Sequence, residues 1–528
     1  MTAAAVIAAL FALTETDWGH EKVRDIAVSK IDVLLGGRGT LYLGALDGGL
    51  AGKFAVDSIA LRDKDGALLF SSGRVEAAGD IWGMLQGKVR FTRVMLTRPY
   101  LLVAQAKDGS WNVSKLFGPK VRQTTKSTLE VILDSAEVHD GHITLAMLDS
   151  TPSLPLVRHE FTKLNLMLGR TRAVHPDTSG GRAPLRQLSV EIDKPPVSIR
   201  ELAGTVNWWS DSLALDFPTL RLPGSHASLA GTINWAKKGP AEIKLKANAD
   251  SVALADIAWM TTLIPKSGGT GAALVNIHNA ANPRALAYEI TKMDMRARKS
   301  RITGGFTAVV ARALEINNLD LTLQPLDLDL VREIFGDSVP KKVWQGQLAG
   351  TVRGTGGPLS NLFFDEIALT YTDQRYKGAV SHVTLAGAID VKSKVAELHG
   401  MKVQLQDLDV HTLGAISKTA DSLNGKLIGS LVLDGPTKDV RFHDLRIWHV
   451  DGGLPRSQIS GAGHIASDVK THWLDADLSL DTIAVATLTR GQTTEPLKGT
   501  AHGYLGLHAL LDTMAIDARL VTGRGPRQ

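Results

Sequence analysis

Leu319-Asp-Leu-Thr-Leu-Gln-Pro-Leu-Asp-Leu328 is the stretch on which the fold turns. Leu319, Leu321 and Leu323 alternate with Asp320 and Thr322, so an extended segment here has one apolar and one polar side. Just beyond, Val331 and Ile334 keep the spacing of a short helix. The same period of two recurs at Leu164, Leu166 and Leu168, and at Leu213, Leu215 and Phe217. It returns at Leu431 and Leu433, and again at Leu474, Ala476, Leu478 and Leu480. Earlier in the chain, Phe54 to Leu61, the turn signal Asp63-Lys-Asp-Gly66 and Ala67 to Phe70 predict a hairpin. Pro99 breaks a strand region over 94–103 and belongs at an edge or bulge. Asp108 to Asn112 reads as a turn, and Thr171 to Pro184 as a surface loop or small boundary.

Composition supports many short strands. The 528 residues are 44% hydrophobic but only 5% aromatic, and the 51 glycines mostly flank short alternating runs. Helical periodicity is confined to a few places. The clearest follows Asp17, where Val23, Ile26, Ala27, Ile31, Leu34 and Leu35 keep helical spacing before Gly36-Gly37. A net charge of +5 with dispersed Lys and Arg gives no basic stripe, so nucleic acid is not expected as a partner. There is no cysteine, which excludes disulfides and thiolate metal sites.

A long-period repeat accompanies the alternation. Pro265-Lys-x4-Gly271-x11-Pro283 matches Pro340-Lys-x4-Gly346-x11-Pro358 without a gap. Gly425 and Gly499 extend the series at spacings of 75, 79 and 74 residues. Leu323-Gln-Pro-Leu326-Asp-Leu328 likewise resembles Leu405-Gln-Asp-Leu408-Asp-Val410. A period of this length predicts a module of several strands and a short helix, stacked along an axis. Modules are placed near 250–330, 331–410, 411–485 and 486–528, in a body spanning 151–528 that follows an N-terminal β domain over 36–150.

Ala3 to Leu13 is uninterrupted apolar sequence, about half the length needed to cross a hydrocarbon core. Val6, Ile7, Leu10, Phe11 and Leu13 therefore read as the end of a membrane anchor whose beginning is missing, although a buried helix fits the same residues. Residues 1–35 are assigned to this partial anchor and the amphipathic helix after it.

The order of several pieces resembles a known family. Val56-Asp-Ser-Ile-Ala-Leu-Arg-Asp-Lys-Asp-Gly66, Leu96-Thr-Arg-Pro99-Tyr-Leu and Asp108-Gly-Ser-Trp-Asn-Val113 are similar to the N-terminal region of AsmA/TamB-like proteins of Gram-negative envelopes. Ser225 to Trp235, Ser300-Arg-Ile-Thr-Gly304 and Gly350 to Pro358 resemble repeated pieces of that family's β-rich body. The resemblance implies a single-pass inner-membrane anchor with the body in the periplasm. It also implies an open apolar groove for phospholipid acyl chains, and a role in envelope biogenesis or outer-membrane assembly. An outer-membrane barrel partner is implied for TamB itself. Arg524 to Gln528 offers no C-terminal domain of the TamB kind, which leaves that partnership open.

The expected fold is mainly β: a long curled antiparallel sheet forming a groove, built of repeated modules, with an anchor remnant and short helices. Too few amphipathic helices are present to cover one apolar face of so many strands. The sheet must pack on itself or curl around something apolar. Roughly thirty strands at about 4.8 Å would give a trough of about 140 Å. The alternating leucines above other than Leu474, with Phe217, are the groove candidates, and a structural or adhesive repeat protein with a dry core is the alternative.

No chemistry is expected. Asp320, Asp327 and Asp329 read as the solvent side of strands rather than an acid–base pair. His20-Glu21 and His159-Glu160 lack the second histidine of a zinc motif, so no metal is assigned. Gly268-Gly-Thr-Gly271 and Gly354-Thr-Gly-Gly357 lack the ending of a phosphate loop, and no cofactor is assigned. Trp208, Trp209 and Trp235 fit either a lipid-facing mouth or strand-end packing.

Overall fold

The structure is a computed structural model. It describes residues 16–523 with interruptions, the longer ones at 81–87, 106–110, 113–129, 148–156, 175–179, 336–344, 416–422 and 490–498. Residues 1–15, 524–528 and scattered positions between 18 and 51 also lie outside it. The anchor candidates Val6, Ile7, Leu10, Phe11 and Leu13 are therefore outside the described residues, as is most of the apolar side of the helix after Asp17. Among the described residues no helix is long and apolar enough to cross a membrane.

The chain is mainly β, with strands mostly antiparallel and not closed into a barrel. It divides into two compact units, 1–249 and 250–528, where the sequence had suggested blocks at 36–150 and 151–528.

In the first unit the predicted hairpin forms between Ile59–Asp63 and Leu68–Ser72, with Leu61 opposite Phe70. Asp63 Oδ1 accepts the amide protons of Asp65 and Ala67, which closes the turn at Gly66. Lys53–Val56 is a separate strand, paired with Arg74–Asp80, because the chain breaks at Asp57-Ser58. Pro99 does interrupt pairing, between Lys88–Thr97 and Tyr100–Ala104. Both of these strands pair in parallel with Ala136–Met147, a departure from the antiparallel expectation. The 171–184 stretch is not simply a loop. Thr171–Val174 pairs with Glu130–Leu133, and Gly181–Ile192 is a strand that includes Pro184.

The second unit is more regular. Four strands, Thr270–Asn279, Leu286–Ala297, Ser300–Val310 and Leu314–Asp327, lead into the helix Leu328–Phe335. Four more, Gly346–Pro358, Leu362–Asp373, Val380–Asp390 and Glu397–Asp409, lead into the 3₁₀ turn Val410–Ala415. Lys426–Pro436, Asp439–Val450, Ser457–Ser467 and His472–Ala484 lead into Val485–Thr489, and Thr500–Leu510 and Thr513–Gly523 come last. Each strand pairs antiparallel with the next. The module is thus four strands and one short helical turn.

Each module ends the same way. A buried serine near the start of the third strand accepts the amide proton of the fourth strand's last residue: Asp327 to Ser300 Oγ at 2.8 Å, Asp409 to Ser381 at 3.0 Å, Ala484 to Ser457 at 3.1 Å. Asp327 and Asp409 then cap the helical segment beyond them, accepting the amide protons of Asp329 and His411. The first helical N–H of Leu254, Val410 and Val485 donates to the carbonyl of Gly269, Gly425 and Gly499, tying each turn to the next module's first strand. Asp327 is therefore the last residue of its strand and a cap, and Asp329 is an exposed residue of the helix rather than of a strand.

Glycines in mid-strand set the close approach of neighbours. Gly350 has φ +142°, and a Cβ there would lie 2.0 Å from the Ala368 carbonyl oxygen. Gly350→Ala is expected to lower stability by about 2 kcal/mol or more in urea unfolding, through strain and backbone displacement. Gly452→Ala, at an exposed turn with no atom within 4 Å, should stay within about 0.5 kcal/mol of the native chain.

Candidate functional site

The register of the second unit aligns one residue from every strand. Gly271 pairs with Met295, Met295 with Ile302, Ile302 with Leu323, and Leu323 with Gly350. The line continues through Leu369, Val383, Leu405 and Gly429. It then passes through Ile447, Ile459, Leu480, Gly503 and Leu520. Every member across all fourteen strands is apolar or glycine. At about 4.8 Å per strand this row is about 60 Å long.

Its neighbours obey the same rule. Two residues along, Gly304, Leu321, Val352, Ile367, Leu385, Val403 and Leu431 form a second apolar line. Met401, Leu433, Phe442, Gly463, Ala476 and Leu507 form a third. One residue along lies the opposite face, where Asp294, Thr303, Thr322, Thr351, Ala368, Thr384, Gln404, Ser430, Arg446, Ser460, Ser479, Tyr504 and Arg519 succeed one another. The two faces differ as sharply as the period of two allows.

Five of the predicted residues fall on these lines. Leu323 and Leu480 lie in the first row, Leu321 and Leu431 in the second, and Leu433 in the third. Leu478 pairs with Gly461 and Leu505, and Leu319 with Gly354. In the first unit, Leu213, Leu215 and Phe217 pair with Ile233, Gly231 and Leu229. Leu166 lies between Val138 and Leu188, Leu168 between Ala136 and Leu185, and Leu164 opposite Gly141. Trp209 and Trp235 are exposed where two of that unit's strands end.

Sequence reading missed the glycines' part. Gly271, Gly350, Gly429 and Gly503 stand at one place in successive modules, so the 265–283 and 340–358 alignment was four residues out of phase. Gly346, Gly425 and Gly499 each lie four residues before a row member. Of these glycines only Gly350 stands in a repeated word, Leu-Ala-Gly-Thr, which recurs at Leu202 and Leu229; the others carry no shared local signal. Leu348, Leu369 and Leu385 were also missed.

The short helices cover one side of this face. Leu254 and Leu330 share a buried cluster with Met295 and Leu326. Leu328 and Thr412 border a hollow of about 230 Å³ together with Leu348, Leu369, Val383 and Leu385. The polar groups at this rim are engaged internally. The Tyr371 hydroxyl donates to the Gln345 carbonyl at 2.9 Å, and burial, assisted by Asp373, pushes its pKa up to about 12. Asp373, with a side chain 0% exposed, is paired by Arg375, which also donates to the Thr412 carbonyl.

The opposite face is laced with exposed charge pairs. Asp294 is held down to about 2 by hydrogen bonds from Arg301 and Arg296. His443 is raised above its usual value by Asp444 and then Asp434, which accept from its two ring nitrogens at 2.9 and 3.0 Å. Among the described residues no three His, Asp or Glu side chains converge to hold a metal ion.

Within the first row Leu323, Leu405, Gly429 and Leu480 are buried, Leu520 is exposed and the other nine members are half-buried. No family model, curated protein or solved structure matches the chain.

Two consequences are measurable. Arg375→Met leaves Asp373 buried without its cation and should cost about 3–5 kcal/mol in denaturant unfolding. For His443 the raised folded-state pKa means that its stabilisation is complete below about 6.5 and lost as pH rises through the folded value. The difference in melting temperature between the native chain and His443→Ala should thus be larger at about pH 5.5 than at about pH 8.5. An equal difference at both values would show that the imidazolium pairing does not stabilise the fold.

Proposed function

We propose that the protein is a lipid conduit of the AsmA/TamB-like kind, with phospholipid acyl chains lying against the apolar face of the strand ladder. The observation that carries this reading is the unbroken apolar row from Gly271 to Leu520. A face with no polar interruption across fourteen strands offers an acyl chain the same surroundings at each step. Each methylene removed from water against it contributes about 0.8 kcal/mol. Nine of the row's fourteen members are only half-buried and Leu520 is exposed, which supports the reading, since a dry core would bury them. The expected setting is an inner-membrane anchor with the body in the periplasm, serving envelope biogenesis, and the protein carries out no chemistry of its own.

Lipids co-purifying with the full chain, identified and counted by mass spectrometry, test this. Several phospholipids per chain are expected. Leu369→Glu with Val383→Glu, two adjacent half-buried members of the row, should reduce the count by roughly fivefold or more, since buried carboxylates resist desolvation. Circular dichroism establishes that the variant still folds. A folded native chain that carries no lipid would refute the conduit and leave a structural scaffold in its place.

A further inference from the structure

The hollow of about 230 Å³ lies within the module that runs from Gly346 to Asp409. Row members Leu369 and Val383 form part of its wall, and Leu328, Leu348, Leu385 and Leu408 supply the rest of its aliphatic lining. Its three hydroxyl-bearing residues bring little polarity. Ser381 Oγ accepts the Asp409 amide proton at 3.0 Å and lies 3.3 Å from Thr412 Oγ1, and both side chains belong to residues 0% exposed. The Tyr371 hydroxyl donates to the Gln345 carbonyl at 2.9 Å. A carboxylate or phosphate entering here would give up its water and meet hydroxyls already engaged. A hydrocarbon end would lose nothing.

Comparison with the preceding module shows that the fold does not require this space. The counterparts of Leu328, Leu369, Tyr371, Leu408 and Thr412 are Leu254, Met295, Ala297, Leu326 and Leu330, matched by their places relative to Ser381 and Ser300 and to the strand ends Asp409 and Asp327. There the five residues pack into one cluster, joined by Ile257 and Ile264. Gly269 stands where the later module has Leu348. A Cβ at Gly269 would lie 2.8 Å from Leu254 Cδ1 and 3.0 Å from Ala297 Cβ, so the packed arrangement tolerates no side chain at that position. With Leu348 there and Tyr371 paired to it, Leu328 cannot close down as Leu254 does. Thr412, shorter than Leu330, leaves the gap open.

An apolar cavity of about 150 Å³ stays dry and admits benzene, so on that scale the hollow has room for about eight carbons. Its wall shares Leu369 and Val383 with the row, which suits a flexible chain leaving the row more than a rigid ring system. Resting on the conduit reading, the geometry points to a seat for the methyl end of one acyl chain: about eight terminal carbons turn off the row at Leu369 and Val383 and fill the hollow. The remainder of the chain lies along the row.

Two probes test this on the full chain: palmitate with a diazirine at its terminal carbon, and phosphatidylcholine bearing the same modified tail. After photolysis the adducts are mapped by peptide mass spectrometry. Adducts at hollow residues such as Leu348 and Leu408, several-fold above those at row members outside the hollow, are expected from both probes. Leu348→Phe and Thr412→Leu each put carbon into the space. Either should lower the hollow adducts several-fold while labelling elsewhere along the row persists, and circular dichroism checks that each variant folds. Hollow adducts from palmitate alone would uphold the seat with a free fatty acid as its occupant. Adducts spread evenly along the row, or hollow adducts unchanged in both folded variants, would overturn the seat and leave the conduit intact. No adduct from either probe would remove the conduit reading, and the seat with it.

Discussion

Strand register is the constraint on which the rest of this structure depends. Side chains alternate strictly across a sheet, so a slip of one residue anywhere in the ladder would exchange apolar and polar faces for every strand beyond it. Along the first row the register is held while leucine faces glycine repeatedly: Leu323 with Gly350, Leu405 with Gly429, Leu480 with Gly503. These glycines adopt φ of +142°, +151° and +155°, a region that other residues rarely enter. Beside each of them the earlier strand carries an irregularity, between Leu323 and Leu326, Leu405 and Leu408, and Leu480 and Ile483. Bulges strengthen local twist, and glycine admits the close backbone approach that results. Twist is therefore added at the same height in each module without loss of phase. Leucine beside glycine also evens the thickness of the apolar face.

Helical segments are placed by the same economy. A strand ending at Asp327 or Asp409 leaves amide groups that the ladder no longer pairs, and the buried serines and aspartate caps satisfy them. A helix of eight residues or fewer has too few internal bonds to stand alone. Leu328, Leu330 and Val410 anchor theirs by burial against the sheet. Short connections on either rim, such as 298–299 and 359–361, need no such support, since hairpins of a few residues close through their own backbone. Connection length thus decides where a helical segment forms, and it is already present in the sequence as the long spacers after Asp327, Asp409 and Ala484.

Much of this was legible. Alternation at Leu213 to Phe217 and Leu319 to Leu323 marks strands because a half-solvated strand needs it, and Asp63 to Gly66 marks a turn because Asp63 can bond its own backbone. The cross-strand row was not legible. Its membership depends on how many residues each bulge inserts, and Leu405 and Leu408, neighbours in sequence pattern, belong to different rows. The phase of the long repeat failed for a related reason, since Gly271 opens its module within a strand of ten residues and Gly346 opens one of thirteen. Parallel pairing of Lys88–Thr97 with Ala136–Met147 joins residues some forty positions apart, and no local pattern records it.

Regularity also bears on movement. A binding site holds its ligand by being deeper than its surroundings, whereas a conduit needs neighbouring positions of nearly equal depth. At about 0.8 kcal/mol per methylene, a pocket that gripped only three more carbons than the next would trap a chain by about 2.4 kcal/mol, slowing its escape roughly sixtyfold. Polar side chains within the row would raise barriers of similar size by forcing desolvation. The first row contains neither polar residue nor large aromatic, and its glycines recur once per module. Among the described residues one unevenness is the hollow beside Leu348 and Leu369, which Leu328 and Thr412 also border. On the conduit reading this is a place where an acyl chain pauses.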